Sequence, residues 1–143
     1  MPLKKLLIVL LLLVAVAIWL SLPRESTPSR KGRCNFGGGA GVGIANPAAV
    51  YCESLGYQYR IVKGDKGEYG VCTFPDGSEC EEWAFFRGEC GTKWSYCERF
   101  CGGKIVPQKA DSPFESKVAA CELKGTLYPD WKLCAEGACE SGG

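Results

Sequence analysis

The chain of 143 residues contains no histidine and has no excess of either charge, since 17 Lys and Arg stand against 16 Asp and Glu. The lack of histidine excludes catalytic triads with an imidazole base and zinc sites of the H-E-x-x-H type. The balanced charge argues against a nucleic-acid partner, because a nucleic-acid-binding surface carries clustered basic residues. The sequence indicates no cofactor, no metal site and no catalytic residue, so we expect a protein that is not an enzyme.

The sequence also lacks the C-x-x-C spacing that zinc knuckles and thioredoxin-like redox sites normally use. Cysteine itself is abundant, with ten residues in the chain. Without histidine, a metal site would need four thiolates from scattered positions. An even number of cysteines in a small exported chain favours five disulfides instead. The ten residues are Cys34, Cys52, Cys72, Cys80, Cys90, Cys97, Cys101, Cys121, Cys134 and Cys139.

The spacing of the cysteines leaves most pairings open, but geometry bears on two of them. If residues 79–88 form a helix, Cys80 and Cys90 lie roughly 12–15 Å apart along its axis, beyond the reach of a disulfide. Cys52 is expected on a helix and Cys72 on the second strand of a hairpin. These two residues are expected to pair because that helix must cover the sheet.

Residues 1–22 contain an apolar run that follows Lys4 and Lys5. A transmembrane helix needs roughly 17–25 apolar residues, and the segment from Leu3 to Leu22 reaches that length. We therefore expect an uncleaved signal anchor, with the membrane as a partner. The alternative is a secretory signal peptide, for which Ala15-Val16-Ala17 offers a cleavage site.

Two features of the sequence predict opposite orientations for this anchor. Four basic residues follow the span, namely Arg24, Arg30, Lys31 and Arg33. By the positive-inside rule they outweigh the basic start of the chain and place the rest inside the cell. Disulfides, however, persist in oxidising compartments. We expect the C-terminal domain outside the cytoplasm (secreted if the signal is cleaved), joined to the span by a Ser/Pro/basic and then Gly-rich linker at residues 23–43.

Residues 44–91 show the pattern of a small α+β unit. Asn46 and Pro47 are typical of a helix start, and Gly56 of its end. Two alternating segments joined at Gly64-Asp65-Lys66-Gly67 predict an antiparallel hairpin. Ser78 and Glu81 have the spacing of a capping box, which predicts a second helix. The expected fold is a disulfide-rich α-β-β-α unit, a two-stranded hairpin with two helices.

Residues 92–143 are expected to form a cysteine-stapled helical extension. Ser112 and Pro113, with Glu115, predict a helix start, and a stripe of Phe114, Val118 and Cys121 continues it to Gly125. The segment Tyr96-Cys97-Glu98 is similar to Tyr51-Cys52-Glu53, and a related Lys-Ile-Val or Arg-Ile-Val segment follows each of them. This similarity indicates either a degenerate internal repeat or chance.

Three segments of the chain together resemble one known family. They run over residues 43–52, which read GIANPAAVYC, over residues 68–84, which read EYGVCTFPDGSECEEWA, and over residues 87–90, which read RGEC. The family is the uncharacterised domain of small prokaryotic secreted or membrane-attached proteins that are often labelled hemolysins. The resemblance implies an extracytoplasmic domain, with no established activity and no catalytic residues to transfer.

These observations predict a non-enzymatic binding or envelope module whose partner is an unknown extracytoplasmic protein or envelope ligand. The candidate binding surface comprises Glu79, Glu81, Glu82 and Trp83, although acidic residues in a first helical turn are also explained by the helix dipole. The hairpin tip, residues 64–67, is a second exposed candidate. One alternative function is a protease inhibitor that presents residues 74–77 as a rigid loop. A membrane-lytic protein is less supported, because no amphipathic segment follows the N-terminal run.

Overall fold

The computed structural model of the protein describes residues 2–21, 33–37 and 46–139. Helix α1 (Leu3–Ser21) contains 19 residues and is long and apolar enough to cross a membrane, by length and composition. None of its side chains is buried. The predicted apolar segment thus forms a continuous helix, whereas residues 22–32 and 38–45, which include most of the predicted linker, lie outside the described residues.

The first half of the folded region consists of α2 (Pro47–Ser54), strands β1 (Gln58–Gly64), β2 (Gly67–Thr73) and β3 (Glu79–Glu81), and α3 (Glu82–Phe86). Helix α2 begins as predicted, because the side-chain oxygen of Asn46 accepts hydrogen bonds from the N–H groups of Ala48 and Ala49. Gly56 adopts φ +85°, which lets the chain leave the helix in a left-handed conformation. Strands β1 and β2 form the predicted hairpin, with Gly64 opposite Gly67.

The expected α-β-β-α arrangement is wrong at the end of this half. Residues 79–81 are a third strand, β3, which pairs antiparallel with β2. The cap of α3 is Glu81, whose carboxylate accepts the N–H groups of Trp83 and Ala84. Ser78 instead donates its hydroxyl hydrogen to Asp76 within the preceding turn. The capping-box spacing therefore marks a turn and a short strand, and the helix is shorter than predicted.

The second half begins with a 3-10 helix (Thr92–Trp94) and a π-helical turn (Cys97–Cys101). Strands β4 (Lys104–Ala110), β5 (Val118–Leu123) and β6 (Thr126–Pro129) follow, and then α4 (Asp130–Glu136). The predicted helix after Ser112 is wrong, because residues 118–123 form the middle strand of an antiparallel sheet in the order β4-β5-β6. Residues 118–121 are all buried, and a fully buried apolar run fits a strand as well as a helix.

Both halves have the same order of elements: an opening helix or helical turn, three antiparallel strands, and a closing helix. In each half a disulfide joins the opening element to the middle strand. Cys52 of α2 pairs with Cys72 of β2, and Cys97 pairs with Cys121 of β5. The shared order and the matching disulfides favour an internal repeat over chance similarity.

All ten cysteines are paired, which confirms the expected five disulfides. The pairing of Cys52 with Cys72 is confirmed. The exclusion of a Cys80–Cys90 bridge is wrong, since their Cα atoms lie 6.1 Å apart and the two residues are bonded. The error follows from the misplaced helix, because Cys80 lies on β3 and α3 has only five residues. The other two bridges are Cys34–Cys134 and Cys101–Cys139.

One cluster of buried side chains joins the two halves, so the regions predicted as a domain (residues 44–91) and an extension (residues 92–143) share a core. Part of the predicted linker belongs to this folded unit. Cys34 is 3% exposed and is bonded to Cys134 of α4. Phe36 lies against Phe114 with a ring-centroid distance of 5.2 Å. Residues 33–37 therefore pack on the domain and are not a free tether.

Candidate functional site: a groove beside Trp83

The four residues of the predicted binding surface have different environments. Glu79 is exposed on β3 and forms an ion pair with Arg60 at 2.7 Å. The carboxylate of Glu81 caps α3. Glu82, expected at the surface, is only 5% exposed and accepts a hydrogen bond from the side-chain amide of Asn46. Trp83 is half-buried and, together with Glu81, lines a groove.

This groove has a volume of about 480 Å³ and is formed by both halves of the molecule. Helix α3 and its flanks supply Glu81, Trp83 and Arg87, whereas the connection between β4 and β5 supplies Phe114 and Glu115. The connection is fixed locally, since the hydroxyl oxygen of Ser112 accepts the N–H of Phe114. Sequence reasoning assigned Phe114 and Glu115 to a separate helix and missed their contribution to the groove.

The apolar wall of the groove is part of a larger cluster of aromatic rings. The Trp83 ring lies edge-on to Phe86 at 5.9 Å, and the Phe86 ring lies 6.3 Å from Phe114. Phe114 in turn packs edge-on against Trp131 of α4 at 5.4 Å. Contacts of this kind add to the energy of simple burial. These contacts hold Trp83 and Phe114 in place.

The polar wall of the groove is negatively charged. Arg87 donates to Glu89 at 2.9 Å and to Glu115 at 3.3 Å. The pKa of Arg87 is raised above its usual value, first by its hydrogen bond to Glu89 and further by the charges of Glu115 and Glu81. Three carboxylates therefore surround one guanidinium group. The second carboxylate oxygen of Glu115, Oε2, is covered and has no hydrogen-bond partner within the part of the chain that the structure describes.

The hairpin tip borders a second groove, of about 520 Å³, lined by residues 64–69. All of its walls come from one local turn, and its aromatic residue, Tyr69, is 43% exposed. It therefore lacks the support that the groove beside Trp83 receives from both halves of the molecule.

The turn at residues 74–77 does not have the form of an inhibitory loop. Phe74, which would be its apolar anchor, is 4% exposed and packs against Tyr57 and Phe85. Lys93 holds the pKa of the Asp76 carboxyl well below its usual range through a hydrogen bond, and Ser78 adds to the effect. The turn is thus a fixed part of the domain, with its largest side chain turned inward.

Metal binding has no support in residues 2–21, 33–37 and 46–139, where no three His, Cys, Asp or Glu side chains come together as a possible ligand set. The described residues instead define a small α+β domain with five disulfides and an apolar N-terminal helix.

Comparison with known proteins finds similarity over part of this domain. Residues 43–89 match the model of a domain of unknown function, DUF333. The chain is 31% identical over 104 residues to an uncharacterised protein of Archaeoglobus fulgidus, an alignment that covers 67% of this chain and 49% of that protein. It is 39% identical over 46 residues to the uncharacterised protein YoaF of Escherichia coli K12, covering 32% of this chain and 55% of YoaF.

The chain spans about half the length of the curated relatives it matches. No solved structure matches it. The names of these relatives state no activity, so the hemolysin label remains a prediction. The matched region, residues 43–89, contains Trp83 and Arg87, whereas Phe114 and Glu115 lie beyond it.

Proposed function

We propose that the protein is a membrane-anchored, extracytoplasmic binding module without enzymatic activity, and that it contacts its ligand through the groove beside Trp83. The observation that carries the proposal is the pairing of every cysteine in a disulfide. Five disulfides in one small domain persist in an oxidising compartment and not in the cytosol. For the orientation of the domain, the disulfides are stronger evidence than the basic residues that follow α1.

Helix α1 supports the anchoring part of the proposal. Its 19 residues match the length of a transmembrane helix, and it contributes no side chain to the core of the domain. Because the domain does not use α1 for its own stability, the helix is available to the bilayer. If the segment is cleaved as a signal peptide instead, the same domain is secreted.

Three of the carboxylates that a hydrolytic site could use already have partners in the structure. Glu81 caps α3, Glu82 binds Asn46, and Asp76 binds Lys93 and Ser78. The groove, in contrast, combines a pre-formed aromatic wall with charged residues, and aromatic residues and Arg are enriched at binding interfaces. We therefore favour recognition over catalysis.

A photo-crosslinking experiment tests the proposed surface. Phe114 is replaced by p-benzoyl-phenylalanine in the full chain, which is expressed in intact cells, and Tyr69 at the hairpin tip receives the same replacement as a control. We expect illumination to give an adduct of defined mass from position 114 and none from position 69. Equal adduct formation at both positions, or none at position 114, contradicts the proposed binding surface.

A further inference from the structure

We infer that the groove beside Trp83 binds a lysine side chain of an extracytoplasmic protein partner. The inference rests on the proposed function and names the chemistry of the ligand. It follows from three features of the groove: its negative charge, the carboxylate oxygen of Glu115 that has no hydrogen-bond partner among the described residues, and the aromatic side chains that line it.

The charge of the groove selects a cation. The carboxylates of Glu81, Glu89 and Glu115 lie around Arg87, which satisfies the charge of only one of them. An incoming anion would meet this negative field, whereas a cation would be attracted to it. A partly covered site strengthens the attraction, because water screens the charges less than on an open surface.

The unoccupied oxygen selects an ammonium group over a guanidinium group. Glu115 uses Oε1 to accept a hydrogen bond from Arg87 at 3.3 Å, and its Oε2 atom has no partner among the described residues. An arginine ligand binds a carboxylate best through two parallel hydrogen bonds, which need both oxygens. A lysine ammonium is a compact charge that one oxygen can satisfy. Oε2 is covered in the structure while the Glu115 side chain is one-third exposed, so binding of the lysine requires that this side chain change its rotamer.

The aromatic side chains of the groove offer a packing surface for the methylene stem of a lysine. Trp83 and Phe114 line the groove on the apolar side. The methylene stem of lysine packs on such rings, and the ammonium group is attracted to an aromatic face, most strongly to that of tryptophan. Trp83 thus serves both as the platform for the stem and as a spectroscopic reporter of binding.

The test uses the full chain in lipid nanodiscs with ¹⁵N-labelled tryptophan, whose four indole groups report separate sites. The probe is the capped tripeptide acetyl-Gly-Lys-Gly-amide, compared with the same peptide carrying acetyl-lysine or arginine. We expect a saturable shift of the Trp83 indole resonance with the lysine peptide, weaker binding of the arginine peptide and none of the acetyl-lysine peptide.

Substitutions separate a specific site from general charge attraction. The Glu115→Gln variant removes the charge but keeps the shape, and we expect it to weaken binding of the lysine peptide about tenfold. The matched control is Glu68→Gln at the hairpin tip, an exposed carboxylate that we expect to leave binding unchanged. Unchanged resonances of Trp94 and Trp131 show that the Glu115→Gln variant is folded.

Three results would overturn the inference: equal binding of the acetyl-lysine peptide, tighter binding of the arginine peptide, or no shift of Trp83 with the lysine peptide. Titration with chitotetraose distinguishes this failure from failure of the proposed function. If the neutral saccharide shifts Trp83 and the lysine peptide does not, the groove is a binding site with a different ligand class. Absence of a crosslink from position 114, in contrast, contradicts the proposed binding surface itself.

Discussion

The hydroxyl of Tyr51 donates a hydrogen bond to the Oδ2 atom of Asp130, 79 residues away in the sequence. Tyr51 lies in α2 of the first half, and Asp130 is the first residue of α4 in the second half. The Tyr51 oxygen also accepts the N–H of Tyr96, and Oδ1 of Asp130 accepts the N–H of Cys97. Because Tyr51 is 1% and Asp130 2% exposed, this buried network joins the two halves.

Replacement of Tyr51 by Phe tests the contribution of this network to stability. The substitution removes, in a buried site, the hydroxyl group that accepts the N–H of Tyr96 and donates to one oxygen of Asp130. We expect the free energy of unfolding to fall by about 1–3 kcal/mol. The measurement is denaturant unfolding of the oxidised full chain at neutral pH. The matched control is Tyr128→Phe, at a residue that is 42% exposed. We expect that change to be within about 0.5 kcal/mol, and an equal effect of both variants would contradict the account.

The pH dependence of stability is a second test of the same network. Burial raises the pKa of Asp130 from 3.8 to about 6 in the folded protein, an effect that the hydrogen bonds from Tyr51 and Cys97 reduce. Because the pKa of Asp130 is higher in the folded than in the unfolded protein, protonation of Asp130 stabilises the folded state. The contribution of Asp130 is therefore complete below the unfolded pKa and is lost as pH rises through the folded pKa. We expect stability to fall between about pH 4 and pH 7, by at most about 3 kcal/mol.

The Asp130→Asn variant is the control for this pH effect, since it keeps an acceptor for Cys97 but does not titrate. We expect its stability not to fall as pH rises across the same range. The ion-paired carboxyls of Glu79 and Glu89 have pKa values lowered from 4.5, so their contributions are complete above that value and decline as pH falls through it, which is opposite in sign to the effect of Asp130. A wild-type protein with the same pH profile as the Asp130→Asn variant would show that Asp130 has an ordinary pKa.

The disulfides are expected to contribute unequally. Cys34 and Cys134 are 100 residues apart in the sequence, whereas Cys80 and Cys90 are 10 apart. In the chain-entropy description, loops of these lengths correspond to about 4.7 and about 2.7 kcal/mol. Replacing both cysteines of the first pair by Ala is therefore expected to lower stability by about 2 kcal/mol more than replacing both of the second. Equal losses in denaturant unfolding would indicate that native-state packing, and not loop length, sets the contribution of each bridge.

Local signals of the sequence predicted the first half well up to Thr73. Asn46, Pro47 and Gly56 mark the ends of α2, and the Gly64–Gly67 turn sets the register of the hairpin. The pairing of Cys52 with Cys72 followed from the need of α2 to cover the sheet. These features depend on residues close in sequence, which is why composition and spacing were enough.

The predicted helices were wrong where the same local pattern is compatible with two kinds of secondary structure. Ser78 and Glu81 satisfy the spacing of a capping box, yet Ser78 bonds within a turn and Glu81 alone caps α3. The stripe from Phe114 to Cys121 fits a helix, but residues 118–121 are buried on both faces of a sheet. Only tertiary contacts decide such cases.

The groove was only partly predictable for the same reason. Trp83 and Glu81 belong to the predicted surface because they lie in or beside the acidic first turn of the predicted helix. Glu115 and Phe114 join them through the folding of the second half onto the first, which no local pattern indicates. The burial of Glu82 likewise depends on Asn46, 36 residues earlier in the sequence.

The central claim, an extracytoplasmic domain held by five disulfides on an uncleaved anchor, is tested most directly by intact mass. The full chain is taken from its native membrane fraction and alkylated with or without prior reduction. The account predicts a chain that retains residues 1–22, takes up no alkyl group without reduction and takes up ten after reduction. Alkylation without reduction would place the domain in a reducing compartment and contradict the account.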